Sequence, residues 1–299
     1  MRSRPLLARP HVYLFSAAIV AGTTLVASLA GAADVRLYEV KVPLNGTTET
    51  DRGAALGEAM KAVAVRVSGR RDAGANATVT AADPARYVQR YAAGSDRTLK
   101  VGFDGAAVER LLQQAGLTFW AAERPLTLVD VVAEDRSAAL EAAESRGLPI
   151  AWQSGAVATG PDQAVLRGAP NGAQFDWSFS HAGQTVQGRG TLADGIHLAA
   201  DTLAARYAPP SSRGTSSLVL RIKGTDDLRQ YMGVIGYLES LSLLRRVEVE
   251  ALEGDVLRLR VVMRGDRDLL GRIAALEAKL QPAPRGADPA ADADFVFQP

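Results

Sequence analysis

The sequence contains no cysteine. That absence excludes disulfide bonds, zinc sites with thiolate ligands and a thiol nucleophile, so the folded chain depends on packing and non-covalent bonds. Histidine is scarce as well, with three in 299 residues, which leaves few candidates for general-base or metal-ligand roles. We expect no cofactor, and we assign no catalytic or metal-binding residue.

The sequence also has no excess of positive or negative charge. The chain has 34 basic and 33 acidic side chains, for a formal net charge of +1. Dedicated nucleic-acid binders carry a basic excess, because neutralising phosphates supplies most of their affinity. The balance predicts no nucleic-acid partner.

Long apolar runs are limited to one, from Val12 to Ala30. Basic residues precede this run, and the small residues of Ala30-Gly31-Ala32-Ala33 follow it, which is the three-part pattern of a secretory signal. We predict a signal peptide over residues 1–33, cleaved near Ala32 or Ala33, no membrane span afterwards, and a periplasmic location. The alternative is an uncleaved membrane anchor.

The segment 99–132 gives the clearest indication of secondary structure in the chain. Leu99, Val101 and Phe103 alternate with other residues as in a strand that has one buried face. Asp104 is placed to cap a helix that ends at Gly116, with Val108, Leu111, Leu112 and Ala115 as its apolar stripe. The apolar run 126–132 then favours a buried strand. Strand and helix alternate here.

One stretch in this region carries a family resemblance. The segment LKVGFDGAAVERLLQQAGLTFWAAERPLTLV, preceded by DRGAALGEAMKAVAVRVSGRRD and PARYVQRY, resembles the bacterial family numbered 2066 among domains of unknown function. The likeness covers Asp34 to Tyr207. It implies an exported, uncharacterised envelope protein and brings no known catalytic residues.

The fold class is predicted as mixed α+β or α/β. A mixed α/β region occupies residues 34–208, divided at about 34–125 and 126–208, and Pro209 to Gly214 form a linker. Residues 215–281 follow the order βαββα of a ferredoxin-like domain. A Pro/Ala/Asp tail, 282–299, has a possible final strand at 295–297.

Three local expectations within these regions are specific enough to compare with the structure. Residues 86–91 are predicted as a short helix. The helix that begins at Thr225 is expected to bury Leu228, Met232, Ile235 and Leu238. Strands 247–251 and 257–261 are expected to pair across the turn 253–255. Their register sets Val247 opposite Val261, Glu248 opposite Arg260, Val249 opposite Leu259 and Glu250 opposite Arg258.

Candidate functional side chains are few. His197 lies four residues before Asp201, which could form a general-base pair, although a solvated helix pair is the ordinary interpretation. Trp120 and Arg124 could stack to present a binding surface, and the alternative is a tryptophan that covers the edge of the core.

Two classes of function follow from this search. The first is a non-enzymatic binding or assembly module of the cell envelope, whose partner is a protein or an envelope component. The second is a hydrolase that uses carboxylates near strand ends, such as Glu123, Asp130 or Asp135. Two close carboxylates in a deep pocket would favour the enzyme, and an exposed apolar patch would favour the binder.

Overall fold

The computed structural model describes residues 36–153, 162–209, 214–286 and 288–298. In these ranges the chain is a mixed α+β protein with seven α-helices and three sheets, which confirms the predicted class at that level. The predicted signal peptide, and residues 210–213 of the predicted linker, lie outside the described residues. Within the described ranges, no helix combines the length and the apolar character needed to cross a membrane.

The seven described helices are α1 Glu49–Ser68, α2 Ala77–Ala81, α3 Gly105–Gln114, α4 Ser137–Arg146, α5 Leu192–Tyr207, α6 Leu228–Ser240 and α7 Arg267–Glu277. Six of the seven described helices have an N-cap side chain that accepts a hydrogen bond from a first-turn amide, and α4 is the exception. The predicted α3 is confirmed: Asp104 accepts a hydrogen bond from the amide of Ala107, and Leu111 and Leu112 are buried.

The first sheet has three antiparallel strands in the order β1-β3-β2. Its strands are β1 Glu39–Pro43, β2 Val88–Ala93 and β3 Thr98–Phe103. The helix predicted over residues 86–91 is therefore wrong. Only a single 3-10 turn, Pro84–Arg86, is helical, and the chain then extends because β3 offers a full edge of backbone partners to β2.

The second sheet has five strands in the order β5-β4-β6-β7-β8, with β4 parallel to both of its neighbours and the rest antiparallel. Its strands are β4 Thr127–Asp130, β5 Ile150–Trp152, β6 Ala164–Asn171, β7 Gln174–His181 and β8 Gln184–Gly190. The strand predicted over 126–132 is shorter than expected, and Val132 is exposed. Helices α4 and α5 pack against each other beside this sheet.

The third sheet has five strands in the order β10-β11-β9-β13-β12. Its strands are β9 Thr215–Lys223, β10 Leu244–Glu253, β11 Val256–Arg264, β12 Leu280–Pro282 and β13 Ala293–Phe297. β9, β10 and β11 are antiparallel, whereas β13 runs parallel to β9 and pairs on its other side with β12. The last helix ends at Glu277, and Leu280 is the first residue of β12.

The predicted register of β10 and β11 is confirmed at three of four pairs: Val247–Val261, Glu248–Arg260 and Val249–Leu259. A bulge then places Ala251, instead of Glu250, opposite Arg258. The Glu250 carboxylate still bonds Arg258 at 3.0 Å and Arg260 at 2.5 Å. At this bulge the Glu250 carboxylate pairs with both arginines.

Candidate functional site

Trp120 and Arg124 stack as their types suggested, with the guanidinium carbon 3.9 Å from the indole centroid. Their exposed fractions are 0% and 1%, however, so the stack belongs to the interior and presents no surface. The segment between β3 and β4 runs beneath α1, and the amide of Trp120 donates to the carbonyl of Val67 there.

Arg124 is compensated by backbone carbonyls. Its guanidinium donates five hydrogen bonds of 2.6–3.1 Å, to the carbonyls of Arg66, Trp120, Ala121, Arg146 and Gly147. Arg66 lies in the last turn of α1, and Arg146 and Gly147 lie at the end of α4, where unpaired carbonyls carry the negative end of the helix dipole. Burial lowers the pKa of Arg124 well below its usual value, and repulsion from Arg66 and Arg146 lowers it further.

Those two neighbours are also buried, and they complete what we call the arginine cluster: Arg66, Arg124 and Arg146. Arg66 donates to the carbonyls of Glu39 and Glu144, and Arg146 donates to the carbonyl of Gly69 at 2.7 Å. The cluster therefore joins α1 to β1 and α4, and its bonds are structural.

The candidate pair His197 and Asp201 bonds the arginine cluster. Arg146 lies 2.6 Å from an Asp201 oxygen and 3.4 Å from Nδ1 of His197. Burial and the positive charge of Arg146 lower the pKa of His197. His181 is buried, with Nε2 2.8 Å from the Tyr207 hydroxyl. In the described ranges, no three potential metal ligands converge.

The three carboxylates suggested for hydrolysis have separate partners. Glu123 is buried and accepts from the amide and the hydroxyl of Ser242 at 2.6 and 2.9 Å. Asp130 pairs with Arg167 at 3.5 Å. Asp135 is exposed and accepts from the amide of Ser137 at the start of α4, which lowers its pKa. The structure does not bring them together as a catalytic pair.

A cluster missed by the sequence reasoning lies where α3 meets the third sheet. One oxygen of Glu109 accepts from Arg245 of β10 and from Arg264 of β11, and the other accepts from the Tyr38 hydroxyl. The Glu109 side chain is 7% exposed, against 36% for Arg245 and 20% for Arg264. Burial raises the pKa of the Tyr38 phenol to about 12, so the phenol stays a donor at neutral pH.

The two arginines also face a cavity of about 340 Å³, which we call the charged pocket. Its lining combines the ionic cluster with apolar and backbone groups: Glu109, Leu112, Gln113, Phe119, Pro209, Gly214, Thr215, Arg245, Arg264 and Gly265. The Arg264 guanidinium lies 4.2 Å from the Phe119 ring centroid. One local signal was available, because Glu109 is an acidic residue beside the apolar stripe of α3. The two arginine partners of Glu109 lie 136 and 155 positions further along the chain, so no local pattern in the sequence connects them with it.

Comparison with known proteins identifies one match. Residues 32–121 match the family model described as domain of unknown function DUF8605, which is less than half of the chain. The resemblance to family 2066 is therefore wrong: the model that matches this part of the chain describes a different family. Neither the curated proteins nor the solved structures contain a match.

Proposed function

We propose that this chain is an exported protein of the cell envelope that acts as a non-enzymatic binding or assembly module. The observation that carries the proposal is the charged pocket, where two arginines and an apolar wall face a cavity around a single carboxylate. Binding sites commonly place a few convergent polar groups beside apolar side chains, and this cavity has that combination.

The chemistry of the charged pocket favours binding over hydrolysis. Both oxygens of Glu109 already accept hydrogen bonds within the protein, Oε2 from two guanidinium groups and Oε1 from a phenol. A general base or nucleophile needs a free lone pair directed at the substrate. Glu123, Asp130 and Asp135, which would carry the alternative hydrolase, each bond a different partner outside this pocket.

Export and a periplasmic location are part of the same proposal. They are supported by the basic, apolar and small-residue segments of residues 1–33. A protein without cysteine can fold in an oxidising compartment with no risk of wrong disulfide pairing, which is compatible with this location.

A ferredoxin-like fold for residues 215–281 is also a proposal. Support comes from the order β9-α6-β10-β11-α7 and from β11 lying between β9 and β10. The departure is at the far edge, where β13 runs parallel to β9 and β12 lies outside it.

The test is site-specific crosslinking in intact cells that express the full chain. A photo-reactive residue replaces Gln113, which lines the charged pocket, and the control carries it at Lys61 on an exposed part of α1. We expect a defined adduct from position 113, in the envelope fraction, that is missing from position 61. Equal labelling from both positions, or no adduct at position 113, would contradict the proposal.

A further inference from the structure

The charged pocket retains hydrogen-bonding capacity beyond its internal ion pairs. A guanidinium carries five N–H donors on three nitrogens. Arg245 and Arg264 each use one nitrogen for Glu109. The remaining donors belong to side chains that are one-fifth to about one-third exposed and that line the cavity, so an incoming acceptor can reach them.

The charge of the cluster selects the kind of acceptor. Two guanidinium groups and one carboxylate sum to a formal charge of +1, because the Tyr38 phenol, with a pKa of about 12, is neutral at pH 7. A monoanion would bring the half-buried pocket to neutrality. A phosphate dianion would leave it with a net negative charge away from bulk water, which is unfavourable.

The apolar wall adds a second requirement. Leu112 and Phe119 are buried side chains that border the cavity beside the arginines. The Arg264 guanidinium also contacts the Phe119 ring, and its planar fork of donors suits the two-point bonding that a carboxylate accepts. A volume of about 340 Å³ is at the lower end for ligand sites, which suits one small group.

We infer that the charged pocket binds a carboxylate attached to a small apolar group, as a polypeptide C-terminus ending in an aliphatic residue presents it. The inference rests on the proposed binding function and names its ligand class. The carboxylate would bridge Arg245 and Arg264, and the aliphatic side chain would lie against Leu112 and Phe119.

Calorimetry on the purified full chain, as the cell processes it, tests this without any mutation. The probe is acetyl-Ala-Ala-Leu with a free C-terminus, compared with the same peptide as its C-terminal amide and with inorganic phosphate. We expect the acid to bind, the amide to bind at least tenfold more weakly, and phosphate to bind more weakly than the acid. Equal binding of acid and amide, no binding of the acid, or tighter binding of phosphate would each overturn the inference.

Variants locate the site. Arg245→Gln should weaken binding of the acid at least tenfold, and Arg264→Lys, which keeps the charge but loses the planar fork, should weaken it severalfold. Arg260→Gln is the control, because Arg260 lies on β11 but pairs with Glu250 outside the pocket. Near-UV circular dichroism checks that each variant is folded. If folded Arg245→Gln binds the acid as the wild type does, the assignment is wrong.

The failure of this inference differs from a failure of the proposed function. If crosslinking from position 113 captures a partner while the acid and amide peptides bind alike, the protein is a binding module whose ligand is not a carboxylate. If the acid peptide binds and no adduct forms in cells, the ligand chemistry stands and the proposed function fails.

Discussion

At the scale of single residues, Arg124 shows how a fully buried cation is tolerated without a carboxylate. All five of its N–H donors have a carbonyl acceptor, and three of those acceptors lie at helix ends where carbonyls have no helical partner. The guanidinium fork is therefore the part of the side chain that stabilises this site, since its three nitrogens donate to five carbonyl oxygens.

Replacement of Arg124 by lysine should be nearly as damaging as loss of its charge. An ammonium has three donors, so at least two buried carbonyls lose their partner, at about 1–3 kcal/mol each. We expect Arg124→Lys to lower the free energy of unfolding by roughly 2–6 kcal/mol in urea titrations. Arg110→Lys, on the exposed face of α3, should change it by less than about 0.5 kcal/mol. A loss below about 1 kcal/mol for Arg124→Lys would contradict this account.

Glu39 supplies a pH-dependent contribution at the same scale. Its carboxylate bonds Lys100 at 2.6 Å, Arg90 at 3.0 Å and Arg36 at 3.1 Å, which lower its pKa from 4.5 to about 2. The folded pKa is below the unfolded one, so this stability is present above about pH 4.5 and is lost as the pH falls towards 2.

We therefore expect Glu39→Gln to cost about 1–2 kcal/mol of unfolding free energy at pH 7, a value reduced for the solvent exposure of the three cations. The difference from wild type should shrink between pH 4.5 and pH 2, as measured by urea unfolding at several pH values. Glu58→Gln, which removes an exposed pair with Lys61, is the control. A cost for Glu39→Gln that is the same at pH 7 and pH 2 would disprove the assignment.

At the scale of elements, the buried stripe predicted for α6 is confirmed at Leu238 and wrong towards the start of the helix. Leu228 and Met232 are 75% and 57% exposed, so their predicted burial is wrong. The buried positions are Val234, Tyr237, Leu238 and, just past the helix, Leu241, which is the i, i+3, i+4, i+7 pattern one step around the helix. The periodicity of a segment cannot show which of two neighbouring apolar stripes is buried, because that depends on which face of the helix packs against the sheet.

Two leucines in α6 make a matched pair for testing this face. Leu238→Ala should cost about 2–5 kcal/mol of unfolding free energy, the usual range for a buried leucine. Leu228→Ala removes the same atoms from an exposed site and should cost less than about 0.5 kcal/mol. Thermal and urea unfolding of both variants measure the contrast. Similar costs for the two substitutions would mean that the helix packs on its other face.

At the scale of the whole molecule, the described residues from position 36 onward belong to one compact unit. Contacts that are distant in sequence join its parts. Glu109 of α3 bonds two arginines of the third sheet, and Glu123 bonds Ser242, which lies just before β10. Buried apolar residues from all three described sheets also form one continuous core, although each sheet is built largely from its own segment of the chain.

Processing of the N-terminus is the prediction at this scale. Cells that express the full chain should export it and cleave it near Ala32 or Ala33, because the basic, apolar and small-residue segments have the order that is typical of a secretory signal. Mass spectrometry of the purified protein identifies its first residue. Substitution of both Ala32 and Ala33 by a bulky residue such as Phe should slow cleavage at either site, whereas the same change at Ala27 should not. An intact N-terminus on the exported protein would contradict the prediction.

The sequence by itself determined the features that depend on neighbours along the chain. Asp104 caps α3, Gly116 adopts its expected positive φ of 66°, and the alternation of 99–103 gives β3, because hydrogen bonds and side-chain periodicity act within one or two turns. The hairpin of β7 and β8 was predictable for the same reason, since its turn and strands are contiguous.

Only the tertiary structure decided the rest. Residues 88–93 are a strand because β3 supplies backbone partners. A bulge at Glu250 shifts the register of β10 against β11, and the Glu250 carboxylate still bonds Arg258 and Arg260. Arg124 is buried because two helix ends converge on it. The charged pocket exists because α3 meets strands far along the chain. The burial of a side chain and its long-range hydrogen bonds depend on residues that are distant in the sequence. The pattern of a single segment therefore cannot predict them.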